Sequence, residues 1–273
     1  MQVVKVRGAE IPVLGLGTWP MRGRSCARSV ADALALGYRH IDTAQMYGNE
    51  ADIGAGVKAS GVPREEIFIT TKVERESTSA KRMPKSVEDS LAKLGIDCVD
   101  LLLAHWPNPR IPVAETVTAL SEIRRRGLAR HIGVSNYTIA LVDEAVRTSP
   151  EPIVVNQVEF HPFVDQSSLM ATMRRHGIAT TAYAPIARGR VIGNTVIEEI
   201  AATHGKSAVQ VTLRWLIQQG DVIAIPKSAR REGLIENFDI FDFALSQEDM
   251  SRILELGGGR HMLNDPSSVP SWD

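Results

Sequence analysis

Apolar positions along this chain come in short unbroken runs separated by stretches of helical spacing. The runs are LGLG (14–17), HID (40–42), IFITTK (67–72), VDLLLAH (99–105), HIGVS (131–135), IVVNQVEF (153–160), ATTAY (179–183) and VIAIP (222–226). Their continuity marks strands of a parallel sheet covered by helices, since a half-exposed strand would alternate. Helical segments run from Arg28 to Leu36, Ala51 to Ala59, Pro84 to Leu94, Val113 to Arg125, Ile139 to Arg147, Ser167 to Arg175, Ala208 to Gln218 and Gly233 to Asn237. Gly37, Gly61, Gly95, Gly127, Gly177 and Gly220 stand where a left-handed residue ends a helix.

Eight strand–helix units with no linker between them predict a closed (β/α)8 TIM barrel, one domain over 1–273. The leading VVKVRGAEIPV predicts a β-hairpin turned at Arg7–Gly8, capping the N-terminal end of the barrel. Val196–His204 and Ser246–Leu256 predict two extra helices, and the tail ending VPSWD is irregular. An open doubly wound sheet would show G-x-G-x-x-G after a strand; GLGTWP starts that way but has Pro20 at the third glycine.

Composition narrows the function classes. With 273 residues, 44% of them hydrophobic, the chain can bury a large core. A net charge of −1 and a pI near 6.7 argue against a sequence-independent nucleic-acid binder. Arg124–Arg126 reads as a solvated helix end. Cys26 and Cys98 cannot make a disulfide framework and suit a reducing compartment. MQVVKVRGAE has no secretory h-region, and no apolar run reaches the roughly 18–20 residues of a membrane span. These features point to a soluble cytoplasmic protein, without membrane or nucleic-acid partners. No apolar stripe demands a second subunit, so a monomer is expected.

Barrels of this kind carry chemistry at the C-terminal ends of their strands. There the sequence places Asp42, Lys72 and His105, with Tyr47 in the loop HIDTAQMYGNE. A buried lysine needs a partner, which Asp42 on the neighbouring strand can supply. A cation about 4 Å from a phenol, at an effective dielectric of ~20, favours the phenolate by several kcal/mol. Lys72 is thus expected to lower the pKa of Tyr47 and make it a general acid for a developing alkoxide, with a neutral His105 orienting the carbonyl. A Schiff-base role for Lys72 fits poorly, because pairing with Asp42 keeps the amine protonated. No metal is expected: no His/Asp/Glu set has ligand spacing, and His161 reads as structural. Hydride must come from a cofactor. IPKSARREGLIEN puts Lys227, Ser228 and Arg230 before a helix N-terminus, suited to a phosphate.

HIDTAQMYGNE, ITTK, LLLAHWP, GVSN, NQVEFHP and IPKS together resemble the aldo-keto reductases, over nearly the whole chain. The short loops, RREGLIENFDIFDF and the terminal SWD look most like the bacterial 2,5-diketo-D-gluconate reductase and methylglyoxal reductase branch. The resemblance implies an NADPH-dependent carbonyl reductase without metal, with a small carbonyl compound as substrate and NADH as a weaker alternative. By position, Asp42, Tyr47, Lys72 and His105 would be the catalytic tetrad, with Asp42 also at the cofactor. Ser135, Asn136 and Gln157 would hold the nicotinamide carboxamide, and Tyr183 would stack on its ring. Ile186 and Arg188 would run near the pyrophosphate. Lys227, Ser228 and Arg230 would grip the 2′-phosphate, while Glu236 and Asn237 would meet the adenine. Trp19 and Trp106 would wall the substrate pocket with Tyr47 and His105. An NADPH-binding sensor with little turnover is the alternative, though such a protein has no need of a tuned phenol.

Two positions depart from the family's pattern. Gly233 stands where an arginine is common, which implies a smaller margin for NADPH over NADH. Glu74 stands where a tryptophan is frequent, opening the pocket, adding negative charge or turning to solvent. The short HWPNPRIPVAETV connection suggests a shallow pocket for small polar carbonyls.

Overall fold

The computed structural model describes residues 2–258; the tail that ends in SWD lies outside them. Strands β1 (Val3–Val6) and β2 (Ala9–Pro12) pair antiparallel, with Val6 opposite Ala9. Arg7 and Gly8 turn the hairpin with φ of 46° and 85°. Left-handed values at both central residues suit the right-handed twist of a two-residue hairpin. Val4, Ala9 and Ile11 are buried. The Arg7 guanidinium donates to the carbonyls of His176 (2.6 Å) and Gly177 (3.2 Å), just before a barrel strand begins. The hairpin therefore sits at the N-terminal end of the barrel, as its sequence position predicted.

Eight parallel strands follow: β3 (Leu16–Gly17), β4 (His40–Asp42), β5 (Phe68–Val73), β6 (Val99–Ala104), β7 (Ala129–Ser135), β8 (Ile153–Glu159), β9 (Ala179–Tyr183) and β10 (Val222–Ala224). They lie side by side in chain order. The ring closes where Leu14 bridges Ala224, with Gly15 N–H donating to Ala224 O (2.9 Å) and Gly17 N–H to Pro226 O (3.0 Å). At this seam a Cβ on Gly17 would lie 2.5 Å from the Ile225 carbonyl oxygen, so only glycine lets the two strands approach. Every residue of β6 and β8 is buried, which accounts for their unbroken apolar runs.

The helices are α1 (Gly23–Ala35), α2 (Glu50–Ser60), α3 (Met83–Leu94), α4 (Val113–Arg125), α5 (Ile139–Thr148), α6 (Ser167–His176), α7 (Thr195–His204), α8 (Ala208–Ile217), α9 (Arg231–Phe238) and α10 (Gln247–Leu254). The two extra helices are α7 and α10. Asn194 caps α7 through Ile197 N, Ser246 and Asp249 form a capping box on α10, and Trp215 Nε1 donates to Met250 O to tie α10 down. Helices α1 and α9 begin earlier than the periodicity predicted. Their first turns, Gly23–Ser25 and Arg231–Glu232, are exposed and so carry no apolar signal. Among the described residues no helix is long and apolar enough to cross a membrane.

Candidate active site

The register of β4, β5 and β6 sets the site. Asp42 ends β4 opposite Thr70, Lys72 stands two residues further along β5, and His105 follows β6, its N–H donating to Val73 O (3.0 Å). The four predicted side chains meet at the C-terminal rim. Lys72 has no solvent exposure and Asp42 1%. The ammonium reaches Asp42 Oδ1 (2.5 Å), the Thr43 carbonyl (2.9 Å) and Tyr47 Oη (3.4 Å). Those three acceptors match its three donors. Gln157 Nε2 donates to Asp42 Oδ2 (2.8 Å), so each carboxylate oxygen has a partner.

Tyr47 is half-buried at the end of a 3₁₀ turn, Gln45–Tyr47, which the sequence reading treated as plain loop. Its ring meets His105 edge-on at 5.6 Å between centroids, and Lys72 Nζ lies 5.0 Å from the ring centre. Burial raises the phenol above its ordinary 10.0; Lys72 pulls it down and Asp42 lifts it again. This corrects the expectation that Lys72 wins: the burial of the phenol outweighs the pull of the one cation beside it. The phenol keeps its proton at neutral pH. Burial, then Lys72, holds His105 well below 6.5, so its imidazole is neutral. His105 Nδ1 is buried with no hydrogen-bond partner among the described residues. Lys72 is held above 10.5: burial opposes its charge, but Asp42 and Tyr47 together prevail.

Behind the tetrad the predicted amide cluster is a closed network. Ser135 Oγ donates to Gln157 O (2.8 Å), and Asn136 Nδ2 donates to Ser135 Oγ (3.1 Å) and His105 O (3.0 Å). Tyr183 Oη donates to Asn136 Oδ1 (2.8 Å). Asn136 adopts φ 62°, a left-handed conformation that asparagine tolerates better than most residues. The Gln157 amide, assigned from sequence to a carboxamide, lines the cleft and also donates from Nε2 to Asp42. No sequence signal links residues so far apart; only counting acceptors for a buried Asp–Lys pair would have asked for such a donor.

A cleft of about 950 Å³ runs from Tyr47, His105 and Trp106 past Asn136, Gln157 and Tyr183 to Arg188 and Lys227. Trp19 and Ile186 line it too. Trp19 is half exposed, and the Arg188 guanidinium lies 5.5 Å from its ring centre. Glu74 lines the cleft, answering one question the sequence left open. Met46 and Glu76, which sequence reading missed, also line it; they carry no motif.

Other predicted residues stand away from the lining. Ser135 is buried behind the wall. Ser228 Oγ donates to Arg230 O (2.9 Å) and accepts from Arg230 N (3.2 Å), bracing the corner before α9. Arg230 is exposed at the N-cap of α9. Glu236 accepts from Ser207 Oγ (2.7 Å), and Asn237 is buried. The cleft thus offers a flat ring and amides at one end, with Arg188 and Lys227 at the other. Such a donor set fits an elongated ligand with a planar polar head and an anionic body. Among the described residues no group of three or more His, Cys, Asp or Glu could hold a metal.

The family model described as "Aldo/keto reductase family" matches residues 13–257. Methylglyoxal reductase DkgB of Escherichia coli O157:H7 is 40% identical over 266 residues, 96% of this chain and 99% of that protein. Glyoxal reductase of Bacillus subtilis (strain 168) is 43% identical over 263 residues, 96% of this chain and 95% of its own. A crystal structure of a provisionally assigned 2,5-diketo-D-gluconic acid reductase B superposes with TM-score 0.98 at 46% identity, covering 100% of this chain and 98% of that one. The Bombyx mori aldo-keto reductase AKR2E4, in complex with NADP, gives TM-score 0.89 at 33% identity over 98% of this chain and 95% of that one.

Proposed function

This chain belongs to the aldo/keto reductase family, and we propose that it reduces small aldehydes and α-dicarbonyls, methylglyoxal and glyoxal among them, to alcohols with NADPH. The observation that carries this reading is Lys72, held by Asp42 and Thr43 with its third donor 3.4 Å from a protonated Tyr47.

Tyr47 Oη holds its proton until negative charge develops on a substrate oxygen. The proton then passes from Oη to that oxygen, and the phenolate left behind faces the Lys72 ammonium. Lys72 therefore acts when the charge appears, more than by lowering the resting pKa. Neutral His105 can donate an N–H to the same oxygen while adding no competing charge. Asp42 and Gln157 keep the ammonium fixed throughout.

Reduced nicotinamide supplies the hydride when bound, which no side chain can do. Asn136, Gln157 and Tyr183 offer amide and ring contacts for its head, and Arg188 and Lys227 offer charge for its phosphates. Ser228 and Arg230, at the corner before α9, support a preference for the 2′-phosphate, with Glu236 and Asn237 further along that helix. The absence of an arginine at Gly233 narrows that preference over NADH. A bound NADP in the Bombyx mori relative supports the choice of cofactor. The short link between His105 and Val113 at the start of α4 favours small substrates.

NADPH consumption with methylglyoxal is the direct test. Tyr47→Phe should abolish turnover while leaving NADPH affinity unchanged. Wild-type kcat in that variant would make the assigned acid wrong.

A further inference from the structure

Tyr47 is not held in place by its own hydroxyl. Among the described residues its one hydrogen bond is the 3.4 Å contact from Lys72, long for such a bond. The distance between these groups must therefore be set by the turn that carries the ring. That turn is a single 3₁₀ turn closed by Tyr47 N to Ala44 O (3.1 Å) and Gly48 N to Gln45 O (3.1 Å). A lone 3₁₀ turn is weak by itself.

Its first residue has a side chain saturated on all four positions. Gln45 Nε2 donates to Ser86 O (3.0 Å) and Ser90 Oγ (2.9 Å). Gln45 Oε1 accepts from Glu74 N (2.9 Å) and Ser86 Oγ (2.9 Å). An amide has two donors and room for two acceptor contacts, so nothing is left over. These bonds tie the turn outward to α3 and sideways to the residue two places beyond Lys72 on the same strand path. On the opposite flank Asn49 takes Thr43 Oγ1 (2.7 Å) and donates to Thr18 O (3.3 Å) and Met21 O (3.0 Å). The ring is thus slung between two hydrogen-bonded amides, of which Gln45 is saturated and is also tied to the strand path that carries the lysine.

We infer that Gln45 is a positioning residue that sets the Tyr47–Lys72 distance by pinning the tyrosine turn to α3 and to the backbone of Glu74. This rests on the reading of Tyr47 as the acid. The titratable groups facing the phenol are Lys72, Asp42, His105 and Tyr183, and Gln45 touches none of them. Its influence runs through the turn alone. A misplacement of about 1 Å can cost on the order of 100-fold in rate even from outside the chemistry.

Gln45→Met keeps the length and removes every polar contact. The expected result is a kcat for methylglyoxal lowered roughly 10- to 100-fold, with NADPH Kd unchanged, because the turn lies away from the phosphate end. In cofactor-free protein, the tyrosinate absorbance of Tyr47, isolated by subtracting the Tyr47→Phe titration, should move from its wild-type midpoint. A role in stability alone would leave both that midpoint and kcat in place. Ser90→Ala, which removes one contact of four, should shift the same readouts less, and its effect should vanish in the Gln45→Met background. Unchanged kcat and an unmoved midpoint in Gln45→Met would overturn the inference; should that variant not fold, an unmoved midpoint in Ser90→Ala would do so. Wild-type protein that binds NADPH but reduces no carbonyl would sink the reductase reading instead, while the titration would still decide the role of Gln45.

Discussion

Lys72 lies 0.9 Å nearer to Asp42 (2.5 Å) than to Tyr47 (3.4 Å), so the acid fixes the cation and the phenol merely borders it. Asp42 in turn takes Gln157 on its other oxygen. The unit is a buried ion pair closed by hydrogen bonds, with one donor of the ammonium left facing the ring. Breaking it from either side exposes the cost of burying its other half.

Lys72→Met should therefore do two separable things. Removing one member of a buried pair leaves an uncompensated charge and costs about 3–5 kcal/mol of stability. It should also lower kcat strongly, because the phenolate loses its counter-charge. Asp42→Leu combined with Lys72→Met should recover most of the stability but none of the turnover. Urea unfolding and kcat, measured on the same three proteins, separate the two effects. Recovered turnover in the double variant would contradict the assigned role of the lysine.

The barrel was legible because its strands are buried on both faces: VDLLLA and IVVNQVE read as unbroken runs for that reason. Asp42, Lys72 and His105 were legible because each is a polar residue ending such a run. What the sequence hid has a physical pattern. The first turns of α1 and α9 face solvent, so no periodicity announces them. The bond from Gln157 to Asp42 joins strands far apart in the chain. The resting state of Tyr47 depends on its burial beside Lys72, Asp42 and His105, which come from the ends of separate strands. Burial of that kind is a property of packing, and no local pattern records it.

The directions of the Tyr47 and His105 shifts give a pH profile for carbonyl reduction. The acid must hold its proton, so its contribution is present below its pKa and lost as pH rises through it; burial puts that loss above pH 10. His105 must be neutral, so its contribution is lost only as pH falls through a pKa well under 6.5. The expected kcat/KM for methylglyoxal is flat through neutrality and on both sides of pH 6.5. Alcohol oxidation needs the phenolate and should instead accelerate as pH rises. A break in the reduction profile near pH 6.5 would place an ordinary histidine in the mechanism.

Gly233 is the third residue of α9, and a Cβ there would lie 2.5 Å from Ser228 Oγ. Gly233→Ala should gain up to about 1 kcal/mol of helix propensity. It must also turn Ser228 away from Arg230, undoing the brace at the corner before the helix. The expected outcome is an unchanged or raised Tm with NADPH binding weakened several-fold and NADH binding less affected. Titration calorimetry with both cofactors checks it. Equal losses for the two would remove the corner from 2′-phosphate recognition.

His40 predicts an acid weakness unrelated to catalysis. It begins β4 fully buried, with Nε2 3.1 Å from Thr70 Oγ1, its ring edge-on to Phe68, and the position of a Cβ on Gly15 only 2.7 Å from Nδ1. Burial drives its pKa from 6.5 down to about 4. The neutral ring is at home in this space and the cation is not. Between those two values the unfolded chain takes up a proton that the folded one refuses. Stability is therefore complete above pH 6.5, falls as pH drops, and reaches its full loss near pH 4. A gap of 2.5 units corresponds to about 3 kcal/mol. His105, also depressed, adds to the same slope, while Glu50, whose buried carboxyl is raised, works against it. The lowered carboxyls of Asp143, Asp165, Asp242 and Asp249 act only below 3.8 and lie outside the window. The informative quantity is thus the difference in slope between wild type and His40→Gln, from urea unfolding at several pH values between 4.5 and 7. His40→Gln should lose stability at pH 7, where the packing of the ring is missed, and lose less of it on acidification. Parallel slopes would mean that the buried imidazole is not the group whose protonation loosens the barrel.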